Sequence, residues 1–83
     1  MARRETGAYD SKARRRLVVH IEKYWSTQKE FADAASITPQ YLNHYLKGRQ
    51  QPNLQHAVAI EIATETKGKR AAIRAREWLE PPS

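Results

Sequence analysis

Along most of the chain, apolar side chains recur at spacings of three and four residues, which is the spacing of one face of an α-helix. The first series contains Leu17, Val18, Ile21 and Trp25, and it predicts a helix from about Ser11 to Trp25. No alternating apolar and polar run bounded by hairpin turns indicates a strand. The pattern therefore predicts an all-α fold, a small bundle of about five helices.

Two capping signals divide the middle of the chain into two short helices. Thr27 and Glu30 form a capping box, in which each side chain satisfies a backbone N–H of the other, and this predicts a second helix starting at Gln28. Thr38 followed by Pro39 is typical of a helix start, because proline suits a first turn where no N–H is needed. Two short helices joined by three or four residues are the pattern of a helix-turn-helix.

The third helix is predicted to end at Gly48, which suits the left-handed position after a helix. Small Ala32 lies where the two helices cross, and Ile37, Leu42 and Tyr45 fill the angle between them. The helical period then leaves one outward polar face on the third helix. This face carries Gln40, Asn43, His44 and Lys47.

Two further helices are predicted toward the C-terminus. Asn53 caps a fourth helix in which Leu54, Val58 and Ile62 recur every four residues, and Gly68 ends it. The alanine-rich stretch from Lys69 to about Leu79 predicts a fifth helix.

The length and the charge narrow the class of protein. The 83 residues suffice for one domain, and the formal net charge of +6 favours a polyanionic partner. No apolar run is long enough to cross a membrane and no secretory leader is apparent, so we expect a cytoplasmic protein. The absence of cysteine excludes disulfides and Cys-based zinc sites.

The charge is unevenly distributed along the chain. Residues 1–16 carry a net charge of +4, and residues 38–53 contain two cations and no acid. Residues 1–10 hold few apolar groups and are predicted to form a flexible basic arm, residues 11–80 the domain, and residues 81–83 a tail. The basic cluster of the arm and the first helix is a hypothetical DNA grip, although a solvated helix face would look the same: Arg3, Arg4, Arg14, Arg15 and Arg16.

The run from Gln28 to Arg49 resembles the Cro/repressor-type helix-turn-helix family of phage and bacterial regulators. The similarity extends through Pro52, Ala59-Ile60-Glu61 and Ala63-Thr64 and is greatest to the YdaS-like or Cro-type group. It implies a lambda-repressor-like DNA-binding domain. The family usually has glycine where this chain has Ser36, and serine in a left-handed conformation would cost about 1 kcal/mol relative to glycine.

The resemblance implies that the start of the third helix enters the major groove of double-stranded DNA. Gln40 and His44 would be the foremost base readers. The expected base-reading residues are Thr38, Pro39, Gln40, Asn43, His44 and Lys47. The expected phosphate contacts are Thr27 and Gln28 at the start of the second helix, together with Tyr41 and Arg49.

The function expected from these features is that of a sequence-specific transcription regulator of phage or prophage type. It would bind an operator of two half-sites as a homodimer and repress by occupying promoter DNA, with Ile73, Trp78 and Leu79 as the candidate dimer interface. An interaction module, such as an antitoxin or a small phage packaging protein, is the alternative.

An enzyme is not expected, because no phosphate-binding glycine loop, nucleophile beside a histidine or carboxylate pair is recognisable. His20, His44 and His56 are not spaced to share a metal ion on one helix face. No cofactor is expected either.

Overall fold

The computed structural model of the chain describes residues 9–81. Over this range the chain forms four α-helices and two short 3-10 helices, with no strand, so the predicted all-α fold with a central helix-turn-helix is confirmed. The predicted arm residues Arg3 and Arg4, and residues 82 and 83 of the predicted tail, lie outside the described residues. The α-helices are α1 (Lys12–Tyr24), α2 (Gln28–Ala35), α3 (Pro39–Leu46) and α4 (Leu54–Glu65), and the 3-10 helices are Lys69–Ala71 and Ala75–Leu79.

The helix α1 matches its predicted bounds. Its start is capped by Ser11, whose hydroxyl oxygen accepts the N–H of Arg14 at 3.1 Å. Leu17 and Ile21 are buried in the core, with Val18 and Trp25 partly buried against it. None of the helices within residues 9–81 has both the length and the apolar character of a membrane-spanning helix.

Side-chain caps start both helices of the helix-turn-helix, as predicted. The Thr27 hydroxyl accepts the N–H of Glu30 at 3.1 Å, and the Thr38 hydroxyl accepts the N–H of Tyr41 at 3.2 Å. The capping box of α2 differs in one bond, because the Glu30 carboxylate accepts the N–H of Ser26 at 2.9 Å rather than that of Thr27. Both helix starts are therefore fixed by residues within four positions along the chain.

The turn between α2 and α3 passes through a left-handed residue. Ser36 has φ 58° and ψ 39°, so the expected departure from glycine does place a serine in a region that L-residues avoid. Ile37 follows with its side chain buried, and its N–H donates to the carbonyl of Ala32 at 2.9 Å. The buried Ile37 side chain contributes hydrophobic stabilisation directly after this unfavourable residue.

The end of α3 is a Schellman motif at the predicted glycine. Gly48 has φ 73°, and its N–H donates to the carbonyl of Tyr45 at 3.2 Å. The N–H of Arg49 donates to the carbonyl of His44 at 2.9 Å. These two bonds satisfy carbonyls that the last turn of a helix leaves free.

The helix α4 begins at the predicted cap, Asn53, whose side-chain oxygen accepts the N–H of His56 at 2.8 Å. The four-residue recurrence that predicts this helix belongs to its exposed face, because Leu54, Val58 and Ile62 are all exposed. The buried face consists of Ala57, Ile60, Ala63 and Thr64. Since α4 packs against α2, the two alanines allow a close approach of the helices.

The fifth α-helix predicted over Lys69 to about Leu79 is replaced by the two 3-10 helices. The reason lies in α4, because the Thr64 hydroxyl accepts the N–H of Ile73 at 2.9 Å and the Glu61 carboxylate accepts the N–H of Ala75 at 3.0 Å. These N–H groups bond to side chains instead of to carbonyls one turn earlier. The stretch between the 3-10 helices is consequently pinned against α4 in an extended form.

The core lies between the four α-helices and is closed by the second 3-10 helix. Ile73 and Trp78, expected as exposed interface residues, are buried in it, so that prediction is wrong for both; Leu79 is exposed. Phe31 occupies the centre, with its ring edge-to-face to Trp25 at 5.3 Å between centroids. The residues with no exposed surface at all include Ala13, Leu17, Phe31, Ala32, Leu42, Ile60 and Ile73.

Candidate DNA interface

One side of α3 is held in the core and the other is left to solvent. Leu42, Tyr45 and Leu46 are buried, which turns the opposite side of the helix outward. Gln40 and Lys47 are exposed on that outward side, at a spacing of seven residues, and His44 lies between them with partial exposure. The structure therefore brings these three predicted base readers onto one line along α3.

The ring of His44 presents only one nitrogen to a ligand. Its Nδ1 is buried without a hydrogen-bond partner in the described part of the chain, which leaves Nε2 as the nitrogen able to meet a base edge. Sequence reasoning gave no sign of this asymmetry, because the burial of a single ring atom depends on the three-dimensional packing around it.

Two predicted residues stand at the start of α3. Thr38 and Pro39 are both exposed. The Thr38 oxygen accepts one bond as the helix cap, so its hydroxyl proton and its second lone pair remain available for a ligand. Pro39 offers an apolar ring and no N–H at the same end of the helix.

A groove runs along one side of α3 toward the start of α2. Thr27, Gln28, Asn43 and Lys47 all line it, so two predicted phosphate residues and two predicted base readers share one surface. The first turn of α2 leaves backbone N–H groups without intrahelical acceptors, which favours an anion there. One carboxylate, that of Glu22, lines the same groove.

A polar depression lies on the other side of α3. The predicted phosphate residues Tyr41 and Arg49 line it, and both are exposed. Within residues 9–81 no ion pair involves Arg49. Its remaining lining residues, which sequence reasoning did not assign to DNA contacts, are Tyr9, Tyr45, Gln50, Gln51 and Asn53.

Aromatic contacts fix this side of α3 to α4. The ring of Tyr41 stacks on that of Tyr45, with centroids 6.3 Å apart and planes 21° apart. The hydroxyl of Tyr45 forms a hydrogen bond with Nδ1 of His56 on α4. Burial raises the pKa of Tyr45, with a smaller contribution from Tyr41, so the phenol stays protonated. No group of three or more His, Cys, Asp or Glu side chains that could hold a metal ion occurs within residues 9–81.

The start of the described chain is attached beside this depression. The N–H of Tyr9 donates to the carbonyl of Gly48 at 3.0 Å, next to the end of α3. The Asp10 carboxylate binds Arg14 and Arg15, each at 2.8 Å. Residues 9 and 10, predicted as the end of a flexible arm, are therefore bound to the domain.

The arginines of the hypothetical DNA grip that lie within the described residues belong to α1 and have acceptors within the domain. Arg14 also donates to the carbonyl of Leu46 at 2.8 Å. Arg16 makes two bonds to the Glu77 carboxylate, at 2.7 and 2.9 Å. Arg14, Arg15 and Arg16 lie on α1, in the helix predicted for them, and intramolecular carboxylates and carbonyls accept their hydrogen bonds. Their role as a DNA grip stays a prediction.

The electrostatics of this arginine cluster follow from its geometry. The hydrogen bond from Arg15, aided by Arg14, lowers the pKa of the Asp10 carboxyl, and partial burial opposes this only in part. Asp10 therefore stays ionised and neutralises charge on α1. Lys47 and Arg49, which form no ion pair within residues 9–81, stand instead around α3, in the acid-free stretch of residues 38–53.

Comparison with known proteins adds one finding. A helix-turn-helix family model matches residues 26–67, which is half of the chain and extends from the cap of α2 past the end of α4. No curated protein and no solved structure matches the chain. The resemblance to Cro/repressor-type proteins is thereby confirmed at the level of the family. The chain belongs to the helix-turn-helix family of DNA-binding regulators.

Proposed function

We propose that this chain is a sequence-specific regulator of transcription, of phage or prophage Cro/repressor type, that reads the major groove of double-stranded DNA with residues 38–47. The observation that carries the proposal is the position of the outward polar face of α3. It lies between the α2 start and groove on one side and the depression around Arg49 on the other. A base-reading helix flanked by phosphate-binding groups is the arrangement that docks a helix in a groove.

The chemistry of the outward face suits base edges. The Gln40 amide matches the N6 and N7 groups of adenine as a pair, and the available Nε2 of His44 can exchange one hydrogen bond with a base. Asn43 and Lys47 stand beside them, the first suited to adenine and the second to guanine or phosphate. At the helix start, Thr38 can donate a hydrogen bond and Pro39 can contact a thymine methyl group.

Phosphate contacts would fix the register of α3 in the groove. On one side, the first-turn N–H groups of α2, with Thr27 and Gln28, would hold one phosphate. On the other side, the Arg49 guanidinium and the Tyr41 hydroxyl would hold another. Repression would follow where the two half-sites of an operator overlap a promoter.

The arm is proposed as an additional grip. Tyr9 is bonded beside the end of α3, so Arg3 and Arg4 are linked through the chain to the side of the domain that faces DNA. Deletion of residues 1–8 should then lower DNA affinity without changing helical content in circular dichroism. Undiminished affinity would exclude the arm from binding.

Selection of binding sites from random duplex DNA tests the central proposal. An enriched sequence with two half-sites about one helical turn apart is expected. Gln40→Ala should then cost about 1–3 kcal/mol on the selected site and little on random DNA. Arg49→Ala is the matched control for phosphate binding and should weaken both equally, lowering the salt dependence by about one contact.

The contrast between the two variants decides whether α3 reads DNA. If Gln40→Ala and His44→Ala both keep the site preference of a folded protein, residues 38–47 are not the reading element. If no sequence is enriched at all, an interaction module is the better description of the chain.

A further inference from the structure

The outer face of α4 is a stripe of large aliphatic side chains. Leu54 is 76% exposed, Val58 40% and Ile62 60%, and their spacing of four residues aligns them along one side of the helix. They are three of the five large aliphatic side chains that are exposed within residues 9–81. We call these three residues the α4 stripe.

The opposite face of α4 is also apolar. Ala57, Ile60 and Ala63 are buried against the rest of the domain. A surface helix normally carries polar residues outward, and α4 departs from this at the three positions of the stripe. The domain covers only one side of α4, so the α4 stripe is an apolar surface that a partner could bury.

We propose that a second copy of this chain covers the α4 stripe, with the two α4 helices packed antiparallel about a two-fold axis near Val58. This names the interface of the dimer in the proposed function and rests on that proposal for its biological role. In this register Val58 meets Val58, and Leu54 of each copy meets Ile62 of the other.

Self-complementarity identifies the second copy as the occupant. A two-fold interface requires that one surface match itself when reversed, and the α4 stripe has equal spacing on either side of Val58. Its ends also differ in charge. Glu65 is exposed at the C-terminal end and forms no ion pair within residues 9–81, while the N-terminal end joins the acid-free stretch of residues 38–53.

The antiparallel register brings these opposite ends together. The Glu65 carboxylate would lie beside the first turn of the partner helix, close to Gln51, where the helix dipole favours a negative charge. Lys67 does not disturb this contact, because its ammonium lies 4.5 Å from the centre of the Trp25 ring. A parallel arrangement would instead place Glu65 against Glu65.

The position of the α4 stripe agrees with binding to two half-sites. The hydrogen bond between Tyr45 and His56 holds the start of α4 against α3. A partner on the outer face of α4, the face opposite to His56, therefore leaves Gln40, His44 and Lys47 uncovered. Leu79, 81% exposed, is a poorer centre for an interface because its neighbour Trp78 is buried.

Analytical ultracentrifugation of the full chain without DNA tests the interface. The expected species has twice the 9.6 kDa mass of one chain. Val58→Glu places two carboxylates face to face across the axis and should raise the dissociation constant about 100-fold or more. Val19→Glu is the matched control, because it makes the same change at a valine that is 60% exposed on α1, and it should leave the dimer intact.

A charge exchange tests the register. Leu54→Lys and Ile62→Glu should each weaken self-association, and a mixture of the two variants should regain dimers, because residue 54 of one copy meets residue 62 of the other. Absence of recovery in the mixture, from variants with unchanged circular dichroism, would overturn the antiparallel register.

The interface and the proposed function can fail separately. A wild-type chain that is monomeric both free and on DNA would overturn the α4 interface, even if it selects a single half-site. A chain that dimerises through the α4 stripe and selects no DNA sequence would keep this inference and refute the proposed function.

Discussion

The helix-turn-helix and the stretch from Lys69 to Glu80 are held in place by bonds of very different sequence range. In the helix-turn-helix, the caps and turns join residues no more than five positions apart, such as Ile37 and Ala32. In the C-terminal stretch, Glu77 bonds to Arg16, 61 residues away, and Trp78 accepts a hydrogen bond from Gln51, 27 residues away. The conformation of the first region is determined by residues close to it in sequence. The conformation of the second region is determined by contacts with distant parts of the domain.

Removal of Glu77 should give the largest effect on this contrast. Its carboxylate is buried and accepts two bonds from Arg16 and one from the N–H of Arg74. Glu77→Ala leaves the Arg16 charge partly buried and unpaired, so the free energy of unfolding in urea should fall by about 3 kcal/mol. Glu80→Ala removes an exposed pair with Lys12 and should cost less than about 1 kcal/mol. Equal small losses would show that the long-range pair does not hold the stretch.

A smaller loss is expected at the hydrogen bond that replaces the predicted fifth helix. Thr64→Val removes the buried hydroxyl that accepts the N–H of Ile73, and leaving that N–H unsatisfied should cost about 2 kcal/mol. Thr66→Val is the control, since within residues 9–81 the hydroxyl of Thr66 bonds to the carbonyl of Ala63 and to no N–H group. Hydrogen exchange at residues 69–79 should accelerate in Thr64→Val alone. Equal acceleration in the two variants would argue against a special role for the Thr64 bond.

On the local side of the comparison, Ser36→Gly should stabilise the protein by about 0.5–1 kcal/mol. Glycine adopts the left-handed conformation of Ser36 without a steric cost, although it loses more freedom on folding. The thermal unfolding midpoint measures the gain. Ser26→Gly is the control, because Ser26 lies in a neighbouring exposed connection without a positive φ, and it should not stabilise. If Ser36→Gly instead lowers the unfolding midpoint, the serine side chain makes a stabilising contribution to the folded protein.

The smallest effect concerns pH. Burial, aided by Arg16 and Lys67, lowers the pKa of His20 below 6.5. As the pH falls, His20 is therefore protonated in the unfolded chain before it is protonated in the folded protein. The contribution of neutral His20 to the free energy of unfolding is complete above pH 6.5 and is lost as the pH falls toward the folded pKa. His20→Gln removes the titration and keeps an acceptor for the Trp25 indole N–H, which donates to Nε2 of His20. Urea unfolding from about pH 7 to about pH 5 should show a smaller loss in the variant. Identical losses would contradict a shifted His20.

The same contrast explains what could be predicted from the sequence. The caps Thr27, Thr38 and Asn53 and the stop at Gly48 are local signals, and the structure has all four where they were expected. The outward face of α3 followed from them, because a helix with a known start and a known buried side has only one other side.

Features that depend on distant partners were not predictable. Nothing near Arg16 in the sequence indicates that Glu77 will bind it, so a cluster of arginines resembles a DNA grip. The helix α4 has apolar residues on both faces, so their periodicity does not indicate which face is buried. The alanines, which permit close packing against α2, determine that choice.

The bond between Tyr45 and His56 has a consequence for the spacing of operators. It joins α3 to α4, so a dimer formed through α4 would hold its two reading helices at a set separation and orientation. One added base pair between half-sites shifts them by about 3.4 Å and turns them by about 35° around the duplex. A dimer of set geometry could not contact both half-sites after that turn. The protein would therefore bind weakly to correct half-sites that are separated by the wrong distance.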